Sequence, residues 1–261
     1  MITALDGITL QTGDLTSAVG WTERLLARVP VADEEMATFA LDNVTLDLTL
    51  VDGDEGFAGL SFEVANADEA HRVAERRALE PAAPVAFAEA ALGLREGRRV
   101  DLDRDATFGV PLSLVQHAPN PRQPHAAATA DGAVTGLDHI VIRTTHPNRA
   151  AALYGARLGL DMRLDRTEPK WGARFMFFRC GDLIVEVVHN LNEEPSDAPD
   201  NIWGLSWRVA NAEAANARLK VAGFDISEIR PGRKPGTRVF TVRNKTLGVP
   251  TLIVEPSAGR P

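Results

Sequence analysis

Cysteine is almost missing from this chain: Cys180 is the only one in 261 residues. That excludes an intrachain disulfide framework and fits a reducing compartment. No run of about 18 apolar residues occurs, so no segment reads as a membrane-spanning helix. Positive charge is in deficit. With 28 Lys and Arg against 36 Asp and Glu, the net charge is −8 and the pI near 5.3, which argues against general affinity for nucleic acid or anionic membranes. The opening residues, Met1 to Asp6, lack the basic and apolar regions of a secretory signal, and a cytoplasmic location is the expectation.

What the chain does have is a repeat. Leu5-Asp6-Gly7-Ile8 returns as Leu137-Asp138-His139-Ile140, and Gly59-Leu60-Ser61-Phe62 returns as Gly204-Leu205-Ser206-Trp207. Thr107-Phe108-Gly109-Val110-Pro111 returns as Thr246-Leu247-Gly248-Val249-Pro250. The chain therefore reads as two similar domains, 1–118 and 136–261. Between them, 119–135 is rich in proline and then in small polar residues, without apolar periodicity, and reads as a linker.

Polar breaks around Asp52–Gly56 and Leu191–Asp200 divide each half again. Each quarter opens with a short β-type run such as Ile140–Thr144. A helical segment follows, such as 149–158 or 212–219, with glycine (Gly159, Gly223) where a helix would stop. Two or three further strand runs complete the quarter. The expected fold is α+β, with four βαβββ modules. A small sheet covered by one helix keeps an open face, and paired sheets would curve into a cup. Strand alternation then puts His139, Val141 and Arg143 on one face, Glu186 with Ile184 and Val188, and Glu255 with Ile253 and Thr251.

Paired βαβββ units with His on a first strand and Glu on a last strand resemble the vicinal oxygen chelate superfamily. It includes glyoxalases, methylmalonyl-CoA epimerases, type I extradiol dioxygenases and bleomycin-sequestering proteins. The resemblance runs along the whole chain as two tandem glyoxalase-like domains. It is strongest where Leu137-Asp138-His139-Ile140-Val141-Ile142-Arg143, Leu158-Gly159-Leu160 and Leu183-Ile184-Val185-Glu186 stand in the expected order. It implies a divalent metal (Fe, Mn, Co, Ni or Zn) held by His139, Glu186 and Glu255, with Gly204 at the fourth ligand position. Mixed N and O donors with open positions suit such an ion as a Lewis acid. In the first half Gly7, Asp47, Gly59 and Gln116 hold these positions, so that half is expected to be a silent structural or lid-forming partner.

The reaction the resemblance implies is glyoxalase- or epimerase-like, a lyase or isomerase acting on a small oxygenated substrate. Glu186 or Glu255 would be the proton-transferring carboxylate. Arg143 and Arg208 are expected on the cup face, either gripping a substrate anion or neutralising Glu186 and Glu255. Trp203, with Trp171, Phe175 and Phe177, offers an aromatic wall. Two other readings stay open. An extradiol dioxygenase would use His139 and Glu255 but lacks a second histidine at Gly204, and a non-enzymatic binding protein would hold an organic ligand without metal. The expected partner is a small-molecule substrate, not nucleic acid or membrane, and a homodimer is left open. Cys180, His117, His189 and Tyr154 read as structural.

Overall fold

Each of the four quarters begins with a strand that ends at a helix-capping side chain, and the same device recurs four times. In the computed structural model, which describes residues 2–88, 96–119 and 127–257, strand β1 (Ile2–Thr12) leads to helix α1 (Leu15–Leu26). Strand β5 (Gly56–Val64) leads to α2 (Ala67–Arg76), β9 (Val134–Arg143) to α3 (Pro147–Ala151), and β13 (Asn201–Val209) to α4 (Ala212–Val221). Asp14, Asn66, His146 and Asn211 precede these helices, and each side chain accepts a backbone N–H of the first turn. Such caps satisfy N–H groups that no helical carbonyl can reach.

Three strands follow each helix. They are β2 (Val31–Ala32), β3 (Met36–Ala40) and β4 (Thr45–Leu50) in the first quarter, and β6 (Val85–Ala88), β7 (Glu96–Asp101) and β8 (Leu112–His117) in the second. The third quarter has β10 (Asp161–Glu168), β11 (Ala173–Cys180) and β12 (Leu183–Asn190), and the fourth has β14 (Arg230–Pro231), β15 (Arg238–Val242) and β16 (Thr251–Glu255). The order is βαβββ throughout, as the sequence periodicity implies. Two eight-stranded sheets result, ordered β2-β3-β4-β1-β5-β8-β7-β6 and β10-β11-β12-β9-β13-β16-β15-β14. Part of the expected linker, 120–126, lies outside the described residues.

Packing gathers the chain into two compact units that do not follow the halves. One holds the start of β1 through Gly7, the second quarter from Gly59, and His139–Trp203; the other holds Ile8–Ala58, the segment ending at Asp138, and the fourth quarter from Gly204. Within the first unit, Arg157 donates to the carbonyls of Arg77 and Ala78, just beyond the end of α2, and to that of Ala106 in the turn between β7 and β8. Within the second, Arg218 donates to the carbonyls of Arg24, Leu25 and Gly132, closing the end of α1. A guanidinium suits this place because the last carbonyls of a helix lack intrahelical donors and carry partial negative charge.

One element differs from the expectation of a plain helix over 149–158. After Ala151 the helix widens into a π-helix, Ala152–Arg157. The widened turns carry the fully buried ring of Tyr154, packed 5.8 Å from that of Phe178.

Candidate functional site

Strand β9 changes phase in its middle. Leu137 and Ile140 are both fully buried, and the two residues between them, Asp138 and His139, are both half-open. From there alternation is regular: Ile140 and Ile142 enter the core, while His139, Val141 and Arg143 share the other face. Parallel pairing sets Ile184, Glu186 and Val188 of β12 beside His139, Val141 and Arg143 respectively. Antiparallel pairing then sets Phe177 of β11 beside Glu186, and Phe175 beside Val188.

His139 and Glu186 meet on this face. Nε2 of His139 lies 3.8 Å from Oε2 of Glu186, with the side chains 22% and 12% exposed. Next to them is an apolar wall: Phe175, Val188 and Ala173 are buried together, with Val141 and Phe177 packed against them. The Phe175 and Phe177 rings stack at 6.4 Å, and Trp171 meets Phe175 edge-on at 5.9 Å. Trp203, expected as a substrate contact, is 51% exposed at the start of β13. The face is thus an acid–base pair at the margin of an aromatic surface.

The expected arginines have partners other than those foreseen. Arg143 is ion-paired with Glu193, not Glu186, and Glu193 is also held by Asn190 Nδ2 at 2.9 Å. Arg208 lies with Nε 3.6 Å from Asp138, not against Glu255.

Glu255 does not stand in the fourth quarter where Glu186 stands in the third, and the register explains why. In the third quarter the residue two places beyond His139's strand partner, Ile184, is Glu186. In the fourth, Leu205 pairs with Thr251, which makes Pro250 the neighbour of Gly204 and puts Leu252, not Glu255, in the position of Glu186. Glu255 lies three residues further on. Its Oε2 accepts the Ala212 N–H at 2.7 Å, at the start of α4, and the carboxylate is ion-paired with Arg238, which also grips Glu213. Gln116 does the same in the second quarter, its Oε1 accepting the Ala67 N–H at 2.8 Å while Arg98 pairs with Asp68. Glu255 is a helix cap. Among the described residues no group of three or more His, Cys, Asp or Glu side chains is placed to hold a metal ion.

Gly204 also has a structural cause. A Cβ there would sit 3.0 Å from the Pro250 carbonyl oxygen, the atom that accepts the Leu205 N–H at 2.9 Å. The glycine lets two strands approach closely and does not open space for a ligand.

The remaining candidates fall as follows. Burial pushes the Cys180 thiol up to about 12, which suits an inert core residue rather than a nucleophile. His189 is buried, with Nδ1 3.2 Å from the Thr144 carbonyl. Asp47 is buried and accepts the Thr38 hydroxyl at 2.5 Å. His117, read as structural from the sequence, is set against an acid: its Nε2 lies 2.5 Å from Oδ1 of the buried Asp6. Nothing local in sequence signals this pair, because 111 residues separate the two.

Residues 138–241 match the family model of the Glyoxalase/Bleomycin resistance protein/Dioxygenase superfamily. No curated protein matches the chain in sequence. Among solved structures, the chain resembles a Mn(II)-bound glyoxalase from Novosphingobium aromaticivorans, with TM-score 0.76 and 15% identity over 97% of this chain and 82% of that one. It also resembles a halotolerant catechol dioxygenase, with TM-score 0.73 and 13% identity over 98% and 87% of the two chains. A mutant of 4-hydroxymandelate synthase from Streptomyces coelicolor aligns with TM-score 0.74 and 12% identity over 100% and 95%. At such identities these likenesses speak to fold.

Proposed function

We propose that the open face of the third quarter, within the segment that matches the Glyoxalase/Bleomycin resistance protein/Dioxygenase superfamily model, is a small-molecule site of glyoxalase or epimerase type, with lyase or isomerase chemistry on an oxygenated, anionic substrate. The observation that carries this reading is the His139–Glu186 pair on adjacent strands, beside an aromatic wall.

The pair fits two positions of a divalent metal's coordination sphere. Two donors at about 2.0–2.2 Å from one ion stand at most about 4.4 Å apart, and Nε2 and Oε2 are 3.8 Å apart. One imidazole nitrogen and one carboxylate suit a borderline ion such as Mn(II), Fe(II) or Zn(II). When bound, such an ion supplies Lewis acidity toward a substrate oxygen. Among the described residues two protein donors meet here, so retention is expected to be weak. The chain's own residues do the rest. Glu186 accepts a proton from the substrate carbon through Oε1, the oxygen not assigned to the ion, and His139 restrains that carboxylate from its flank. Phe177 and Val141 keep water from one side of the substrate. Arg143, turned from Glu193, takes a substrate carboxylate through its guanidinium N–H groups.

A second reading has one observation in its favour. With Glu255 committed to α4, the donor set is short of the three ligands expected, which suits a protein that binds an organic ligand without chemistry. Ring cleavage has less support, because Gly204 supplies no second imidazole. Metal titration by calorimetry separates these readings. Mn(II) should bind the wild type saturably, and His139→Ala and Glu186→Gln should each weaken it at least about tenfold, since loss of one ligand removes a principal metal bond. Unchanged affinity in both variants overturns the metal site. Absence of binding in the wild type leaves the metal-free binding protein as the reading.

A further inference from the structure

The first half, expected to be silent, contains the tightest His–carboxylate pair among the described residues. Asp6 is only 4% exposed, and both its oxygens are engaged: Oδ1 lies 2.5 Å from His117 Nε2, and Oδ2 accepts the Ser61 hydroxyl at 3.1 Å. The carboxylate takes the Nε2–H of the imidazole, and in the neutral ring this leaves Nδ1 as the remaining polar atom and a hydrogen-bond acceptor. The arrangement is not a relic shared by both halves. Asp138 and Ser206 recur in the second half, but Pro256 stands where His117 would, and Arg208 approaches Asp138 instead.

His117 is also part of a cavity wall. A cavity of about 540 Å³ lies against β6, β7 and β8, lined among others by Ala86, Phe87, Gly97, Gln116 and His117. Phe87 meets the His117 ring edge-on at 6.2 Å. Other polar groups nearby are spent on structure: Arg98 is ion-paired with Asp68, and the side-chain Oε1 of Gln116 caps α2. Gly97 is required there, because a Cβ would fall 2.0 Å from the Gln116 carbonyl oxygen. The cavity is therefore mostly apolar, lined by Ala86, Phe87, Ala88 and Ala118, with the exposed Glu96 also in its lining and His117 as the oriented polar group in its wall.

We propose that this cavity is a second small-molecule site, independent of His139 and Glu186, which takes an uncharged ring compound bearing a hydroxyl, the hydroxyl donating to His117 Nδ1. An apolar body suits Ala86 and Phe87, and one oriented polar group fixes its direction, the usual composition of a small-ligand site. A ligand lacking the donor leaves Nδ1 without a partner, and that loss sets the selectivity.

The test uses the full chain and two probes, 4-fluorophenol and 4-fluoroanisole, which differ in the hydroxyl hydrogen. Side-chain 15N NMR follows the His117 ring, whose signals are assigned with His117→Gln. The expected result is a saturable shift of the His117 Nδ1 signal with 4-fluorophenol, and at least about tenfold weaker binding of 4-fluoroanisole. His117→Phe should weaken the phenol by a similar factor as read from the probe's own 19F signal. If that variant does not fold, His117→Gln provides the same comparison, with an amide in place of the ring. A His117 signal unmoved by the phenol, or equal affinity for both probes, overturns the proposal.

Discussion

Replacing Glu255 distinguishes a helix cap from a metal ligand. Its Oε2 accepts the Ala212 N–H at 2.7 Å, within the first turn of α4. A hydrogen bond to a charged acceptor contributes about 1.5–3 kcal/mol and a neutral one about 0.5–1.5 kcal/mol. A negative charge at a helix N-terminus adds about 0.3–1 kcal/mol. The Glu255 side chain is 22% exposed, so solvent screens part of the charge and the lower ends apply. Glu255→Gln keeps an acceptor in place, as Gln116 does for Ala67, and should cost about 1 kcal/mol. Glu255→Ala strands the Ala212 N–H and should cost about 2 kcal/mol. For a chain of this size each kcal/mol moves Tm by about 2–4 °C, so differential scanning calorimetry resolves the two variants. Mn(II) affinity, measured by calorimetric titration, should match wild type in both. An alanine variant with unchanged Tm and lost metal affinity would refute the cap and restore Glu255 to the site.

Arg218→Ala should lower stability to urea by about 1.5–3 kcal/mol, because it removes a partly buried guanidinium from the carbonyls of Arg24, Leu25 and Gly132; a wild-type midpoint would show those bonds contribute nothing net. Asp200 gives a pH signature. Burial holds its carboxyl above the usual 3.8 despite bonds from Thr144 and Arg149. With the folded value above the unfolded one, its contribution is fully present below the unfolded value and is lost as pH rises through the folded value. Wild type should therefore lose stability relative to Asp200→Asn as pH climbs from about 3 upward, and parallel stability–pH curves would contradict this.

The fold was legible because it is written four times. Strand runs, helix-capping residues and helical spacing recur in each quarter, and tertiary packing had little to override. Quarters one and four share a compact unit, as do two and three, and that was not legible. The guanidiniums that close α1 and α2 come from Arg218 and Arg157, residues that look in sequence like ordinary surface charge on their own helices. The π-helix was equally hidden, since Ala152–Arg157 has the composition of a normal helix and only the burial of Tyr154 distinguishes it.

The candidate site shows where residue type misleads and register does not. Glu186 and Glu255 each end an apolar strand run, and matching them by type makes them look equivalent. Counting from the strand partner of the first-strand position reverses this: Glu186 is two places beyond Ile184, whereas the same count in the fourth quarter lands on Leu252. A shift of three residues is odd, and an odd shift changes the face of a strand. The sequence already held a warning in Gln116, which aligns with Glu255 and belongs to a half whose first-strand positions, Gly7 and Gly59, supply no donor. A position that carries Gln in one copy and Glu in another, beside a helix start in both, is better explained by what the copies share, an oxygen facing the helix N–H groups, than by the charge in which they differ. The same logic isolates His139 and His117. Neither has a histidine counterpart elsewhere in the repeat, where Gly204, Gly7, Gly59 and Pro256 stand, so no feature of the common scaffold accounts for them. Each is set against a carboxylate and beside an aromatic side chain, Phe177 near one and Phe87 near the other. In a duplicated fold, the residues that break the repeat on an open face are the ones whose presence demands chemistry.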